Sequence, residues 1–327
     1  MARVGAVDCG TNSIRLLIAD VEQADGAAPV LTDVVRTMEI VRLGHGVDRT
    51  GRIDPAAMER TLAAAARYAD TCREHGVEAV RFVATSASRD ADNAGEFIEG
   101  VRAAFSHFGI APEVISGSEE AELSFRGATG DVVAAGHPGP YLVCDIGGGS
   151  TELVRGEATS TGARVVQSYS ADVGCVRMTE RHAFSDPPSE AELAAATRDI
   201  EAALDAIAAE VELAGAGTLV GLAGSITTVT AHALRLDAYD PARIHLAVVA
   251  PERVHESAAE LLSMTREQRE SLPFMHPGRV DVIGAGSLVW DRVVARVRAA
   301  SPEALVVTSE HDILDGIALS AAARLGA

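Results

Sequence analysis

Short apolar runs alternate along the chain with longer stretches in which apolar residues return every three or four positions, so strands and helices are expected to alternate. Runs at 3–9, 14–21, 79–84, 112–116, 141–146, 151–155, 218–223 and 305–308 read as strands. The clearest helices are expected over 56–75 and 189–213, with a last one at 310–324. The helix at 189–213 opens on Ser189-Glu190-Ala191-Glu192, a capping box, and places Leu193, Ile200, Leu204, Ile207 and Val211 on one side. The alternation predicts an α/β protein. A Gly- and Pro-containing stretch at 127–140, ending Gly136-His137-Pro138-Gly139-Pro140, reads as the boundary between two strand-led halves.

Each half begins with the same punctuation. Asp8-Cys9-Gly10-Thr11-Asn12-Ser13-Ile14-Arg15-Leu16 and Asp145-Ile146-Gly147-Gly148-Gly149-Ser150-Thr151-Glu152-Leu153 share Asp, then Gly at +2, Ser at +5, a charged residue at +7 and an apolar one at +8. Each string lies between two strand-like runs and predicts a hairpin with a glycine-rich turn; two copies imply two similar lobes. Such a turn presents main-chain N–H groups with little obstruction, a concavity suited to phosphate. Thr11, Ser13, Ser150 and Thr151 add hydroxyls, and Asp8 and Asp145 are placed to hold a metal ion, Mg²⁺ being the usual bridge between carboxylate and phosphate. One Gly-rich hairpin alone would pass as a simple turn; the matched pair argues for more.

Composition narrows the chemistry. The 327 residues include 47 acidic and 28 basic ones, a net charge of −19, and every basic residue is arginine. Without lysine there is neither a P-loop nor a pyridoxal Schiff base. GC-rich coding accounts for the Arg usage. The acidity argues against a nucleic-acid or anionic-membrane binder. Aromatics are 4%, so Val, Leu, Ile and Ala are expected to build the cores. Met1-Ala2-Arg3 runs straight into an apolar strand, which leaves no room for a signal peptide, and no apolar stretch reaches about 18 residues, so a soluble cytoplasmic protein is expected. Cys9, Cys72, Cys144 and Cys175 lack disulfide or zinc spacing and read as reduced packing residues. Gly284-Ala285-Gly286 lacks the third glycine of a dinucleotide fingerprint, and His311-Asp312 is a dyad without further ligands.

A strand gives way to a helix at Ile115-Ser116-Gly117-Ser118-Glu119-Glu120-Ala121. The glutamates there either complement the helix dipole or supply a carboxylate that orients a water for attack on phosphorus. Taken with Thr85-Ser86-Ala87-Ser88-Arg89-Asp90, Gly174-Cys175-Val176-Arg177, Gly221-Leu222-Ala223-Gly224-Ser225 and the two hairpin strings, this segment makes the chain resemble the exopolyphosphatase / guanosine pentaphosphate phosphohydrolase family along its length. That family lies in the superfamily of actin, sugar kinases and heat-shock ATPases.

The resemblance implies two ribonuclease H-like, actin-like lobes with an active-site cleft between them, the first at 1–134 plus 306–327 and the second at 135–305. It implies Glu120 as the catalytic carboxylate, and Asp145, Glu152 and Asp8 as ligands of Mg²⁺, or of Mn²⁺ in its place. Gly10, Thr11, Asn12, Ser13, Arg15, Arg89, Gly147, Gly148, Gly149 and Ser150 are implied as phosphate ligands; Arg177 and the Gly224-Ser225 turn serve packing or contact. The implied activity is release of the terminal phosphate of inorganic polyphosphate, with guanosine pentaphosphate as the alternative substrate and a possible homodimer as the assembly. Longer members of the family carry a C-terminal helical extension that grips long polyphosphate, and none follows Ala327, so short chains are expected. A non-catalytic polyphosphate or alarmone sensor and an ATP-dependent kinase are the rival readings.

Overall fold

The structure is a computed structural model and describes residues 1–22, 29–159 and 162–325. Its principal elements, in chain order, are β1 (Ala2–Cys9), β2 (Ser13–Glu22), β3 (Val30–Ile40), α1 (Pro55–Glu74), β4 (Ala79–Ala84), α2 (Ser86–Asp90), α3 (Ala94–Ala104), β5 (Glu113–Val114), α4 (Gly117–Ala134), β6 (Tyr141–Ile146), β7 (Thr151–Thr159), β8 (Gly162–Ala171), α5 (Cys175–His182), α6 (Glu190–Glu210), β9 (Thr218–Leu222), α7 (Ala223–Ala233), α8 (Pro251–Ser263), α9 (Ile283–Ala300), β10 (Leu305–Thr308) and α10 (Ile313–Leu325). They fall into two compact units, one from 1–127 and 313–325, the other from 128–159 and 163–312.

Both units carry a five-stranded sheet, ordered β3-β2-β1-β4-β5 in the first and, read in the matching sense, β8-β7-β6-β9-β10 in the second. In each, the leading strand pairs antiparallel with the next and parallel with the strand that follows a helical crossover: β1 with β2 and β4, β6 with β7 and β9. The internal repeat in the sequence is therefore a repeat of topology.

The unbroken apolar character of β1 and β2 follows from burial on both faces of the first sheet. Val7, Cys9, Ile14, Leu16 and Ile18 enter one core with residues of α1 and α3 and with Phe82 of β4. The alternate residues Val4, Ala6, Leu17, Ala19 and Val21 enter another, closed by Ile313, Leu314, Ile317, Ala318 and Ala321 of α10. Few aromatics does not mean dispersed ones: Phe82 meets Phe105 edge-on at 5.5 Å and Phe97 at 6.3 Å. In the second unit the single tryptophan, Trp290 on α9, is fully buried with Leu142, Cys144 and Leu219 of its sheet. The capping box of α6 forms as expected, Ser189 and Glu192 each satisfying the other's main-chain N–H.

Three expectations change. Strands β3 and β8 were absent from the pattern. Ile18 pairs with Val35 but Ala19 with Asp33, so Val34 is an extra residue that breaks the period of β3. The stretch at 127–140 is helical as far as Ala134, and the unit boundary falls inside α4. Residues 306–308, expected in the first lobe, belong to the second because β10 runs parallel to β9, from Leu305 opposite Thr218 to Thr308 opposite Gly221.

Close approach of α10 to α4 depends on Gly316, where an added Cβ would lie 2.0 Å from the Leu123 carbonyl oxygen. Gly130, in the same helix as Leu123, has open space around such an atom. Gly316→Ala should therefore destabilise the protein by ~1–3 kcal/mol, and Gly130→Ala should stabilise it by about 0.5–1 kcal/mol, opposite shifts in midpoint that thermal or urea denaturation would read.

Candidate active site

The repeated turn closes in the same way twice. The Gly10 N–H donates to the Ser13 carbonyl at 3.0 Å, and the Gly147 N–H to the Ser150 carbonyl at 3.0 Å. Loop carbonyls are then fastened from outside the turn. In the first unit, the Asn12 carbonyl accepts from the N–H groups of Val41 and Arg42, and that of Thr11 from Gly44. In the second, the carbonyls of Gly147 and Gly148 accept from Cys175, Val176 and Arg177, the first turn of α5. That helix comes so close because Gly174 has no side chain; a Cβ there would lie 2.5 Å from the Gly148 oxygen. Among the described residues, the amides of Thr11, Asn12, Gly148, Gly149 and Ser150 meet no protein acceptor. Turns with their carbonyls tied back and their amides unused are anion cradles.

The two hairpins differ at the charged +7 position. Register places Asp8 opposite Arg15, and Asp145 opposite Glu152. In the first hairpin, Arg15 donates through Nε and Nη2 to Asp8 Oδ2 at 2.9 and 2.6 Å. Asp8, expected as a metal ligand, thus fixes a cation at the mouth of the first turn. In the second, two carboxylates face each other with side chains almost withdrawn from water, Asp145 at 7% exposure and Glu152 at 1%. Ser170 Oγ donates to Glu152 Oε1 at 2.6 Å. Directly opposed like charges are unfavourable on a sheet, and two hard oxygen donors at such a position fit a divalent cation of the Mg²⁺ type. The Cys144 thiol is pushed well up in pKa, by burial first and then by the charges of Asp145 and Glu152.

Glu120 and its neighbour Glu119 pair with different arginines. Arg81, a buried residue of β4, takes Glu119, Glu113 and Ser320. The Glu113 carboxyl is held down to about 2, first by Arg324 and then by Arg81. Arg89, from the short α2, donates through Nη1 to Glu120 Oε2 at 2.7 Å and to the Ile115 carbonyl at 2.9 Å. The preceding residues tie α2 to the first turn, with the Ser86 and Thr11 hydroxyls 2.8 Å apart. The first unit thus unites Asp8, Gly10 to Ser13 and Arg15 in one hairpin and Glu120 with Arg89 in one pair. The second unites Asp145, Gly147 to Ser150 and Glu152.

The Arg177 side chain lies 3.9 Å from Asp172 while its amide serves Gly148. Gly224 makes room for the guanidinium of Arg279. Sequence reasoning missed Ser86 and Ser170, whose partners lie far along the chain. It also missed a cavity of about 930 Å³ in the first unit, whose lining mixes Arg49 and Arg52 with Glu59 and Glu96.

His311 joins Asp131 and His245 in a trio with metal-like spacing, Asp131 Oδ2 standing 2.6 Å from His311 Nδ1 and 3.5 Å from His245 Nε2. The Glu310 N–H donates to His245 Nδ1, however, which leaves that ring's proton on Nε2, facing the carboxylate. His245 is therefore a donor toward Asp131, not a ligand.

The sequence pattern of the Ppx/GppA phosphatase family matches residues 18–321. Over 326 residues the chain is 50% identical to exopolyphosphatase 2 of Mycobacterium tuberculosis, covering 98% of this chain and 99% of that protein. It matches the crystal structure of an exopolyphosphatase-like protein with a TM-score of 0.91 and 41% identity, over 99% of this chain and 100% of that one. An Aquifex aeolicus member of the Ppx/GppA family matches at a TM-score of 0.78 and 29% identity, over 100% of this chain and 99% of that one. With the duplicated sheet, the paired turns and a match along nearly the whole sequence, the chain belongs to the Ppx/GppA phosphatase family.

Proposed function

We propose that the protein is a Mg²⁺-dependent exopolyphosphatase that releases the terminal phosphate of inorganic polyphosphate, with short chains as its preferred substrates. The observation that carries this reading is the pair of turns with unused amides, one bearing a fixed arginine and the other two buried, opposed carboxylates. The name of the M. tuberculosis relative, exopolyphosphatase 2, supports the same activity.

Gly148, Gly149 and Ser150 cradle phosphate oxygens through main-chain amides and the Ser150 hydroxyl, as the amides of Thr11 and Asn12 do in the first unit with Arg15 beside them, while Gly147 and Gly10 close the two turns. Asp145 and Glu152 would hold Mg²⁺, or Mn²⁺ in its place, which when bound supplies neutralisation of phosphoryl charge. Asp8 keeps Arg15 oriented. Glu120 orients the attacking water. A weakly basic carboxylate suffices, because phosphoryl transfer depends more on positioning and charge than on proton abstraction. The four buried, unpaired cysteines agree with a reducing, cytoplasmic setting, and no described helix is long and apolar enough to cross a membrane.

Guanosine pentaphosphate ends in the same phosphoanhydride and is the second substrate to compare. The residues of the two hairpins all suit phosphate or a cation, which favours polyphosphate.

Glu120→Gln should lower orthophosphate release from tripolyphosphate by about 10²–10⁴-fold while the variant still binds the substrate; wild-type turnover in that variant would remove the mechanism. Asp145→Asn should raise the Mg²⁺ concentration needed for half-maximal rate, and a chelator should abolish release by the wild type. At low salt, an acidic surface should repel the distal part of a long polymer, so kcat/KM is expected to be flat or to fall with chain length. A steady rise with length, or faster turnover of guanosine pentaphosphate than of tripolyphosphate, would contradict the substrate preference.

A further inference from the structure

Asp8 and Glu152 each accept from an orienting donor, and the two donors differ in charge. Arg15 closes on Asp8 through Nε and Nη2, and its guanidinium cancels the charge of the carboxylate it orients. Ser170, near the end of β8, donates from Oγ to Glu152 Oε1 at 2.6 Å. A hydroxyl gives one proton and carries no charge, so Glu152 is oriented while its negative charge is kept. Asp145 stands directly across the register from Glu152, and both side chains are almost withdrawn from water. Like charges so opposed are unfavourable, and a glutamate side chain has enough rotamer freedom to turn away from such a neighbour. The bond from Ser170 opposes that turn.

The stretch that begins at Ser170 also fastens the phosphate turn. The Val173 carbonyl accepts from the Thr151 hydroxyl, next to Glu152. The amides of Cys175, Val176 and Arg177 hold the carbonyls of Gly147 and Gly148. One segment therefore sets the orientation of Glu152 and the shape of the turn that follows Asp145.

We propose that Ser170 is a positioning residue that holds the Glu152 carboxylate in one orientation beside Asp145 for a divalent cation, and that its neutrality is what suits it to the task. A cationic donor in its place would make the second hairpin a copy of the first, with an ion pair where two carboxylates now stand. The inference rests on the reading in which Asp145 and Glu152 hold Mg²⁺.

The test uses Mn²⁺ alone as the probe, its free ion counted by electron paramagnetic resonance in the substrate-free protein. Ser170→Ala should weaken Mn²⁺ binding by about 10–100-fold, the usual cost of losing a partner of a metal-holding side chain. The Mg²⁺ concentration for half-maximal release of orthophosphate from tripolyphosphate should rise by a similar factor, while KM for tripolyphosphate at saturating Mg²⁺ changes by less than about twofold. Ser170→Thr keeps the hydroxyl on a residue suited to a strand, and Mn²⁺ binding should return to within about threefold of wild type. Wild-type Mn²⁺ affinity in Ser170→Ala, a KM that rises as far as the Mg²⁺ requirement does, or a Ser170→Thr protein as weak as Ser170→Ala would each overturn the positioning role. Asp145→Asn separates the failures: it should lose Mn²⁺ binding, and wild-type affinity in that variant would overturn instead the reading on which the inference rests.

Discussion

Both turns of the candidate site depend on a main-chain hydrogen bond made twice, from the glycine at +2 of the repeat to the carbonyl of the serine at +5. It closes a turn too tight for its own amides to find acceptors inside it. The loop carbonyls must then be satisfied from outside, by residues 41–44 in one unit and by the first turn of α5 in the other. Buried carbonyls need partners. Once those partners are in place, the turn is polarised, its carbonyl oxygens engaged and its N–H groups without protein acceptors among the described residues. The close approach at Gly174 and the placement of α5 serve this polarity as much as they serve packing.

Opposite charges at one register position give the two copies different work. An antiparallel hairpin sets the residue at +7 across from the aspartate, whatever it is. Arginine there makes an ion pair with the aspartate; glutamate leaves two opposed carboxylates, the pair we propose as the holder of a cation. The net charge of −19 is no obstacle to a polyanionic substrate under this arrangement. Under the proposed function neutralisation is local, by amides and arginines of fixed orientation, and the remaining surface acts only on what extends beyond the site.

The parts of this design that depend on local spacing were legible in the sequence. The repeat, its strands, the capping box of α6 and the strand-to-helix turn before Glu120 all stand where the residue pattern placed them. Strand β3 was not legible because the extra residue Val34 hides its alternation. Nor was the end of α4, since Gly127 and Gly130 look like a linker although their neighbours hold the helix. The pairings of Arg81 with Glu119 and of Arg89 with Glu120 join residues brought together by β4, α2 and α4. Two adjacent glutamates carry nothing in their own sequence that says which arginine each will meet, so Glu120 is singled out by family resemblance rather than by spacing.

Trp290 is the single tryptophan of the chain, and it lies buried in the core of the second unit. Its emission is therefore an optical label supplied by the protein itself, and it belongs to that unit alone. A loss of helix seen by circular dichroism without a change in indole fluorescence marks unfolding confined to the first unit, which carries Glu120 and Arg89. The cooperativity between the two halves of this duplicated fold can thus be followed without adding a dye.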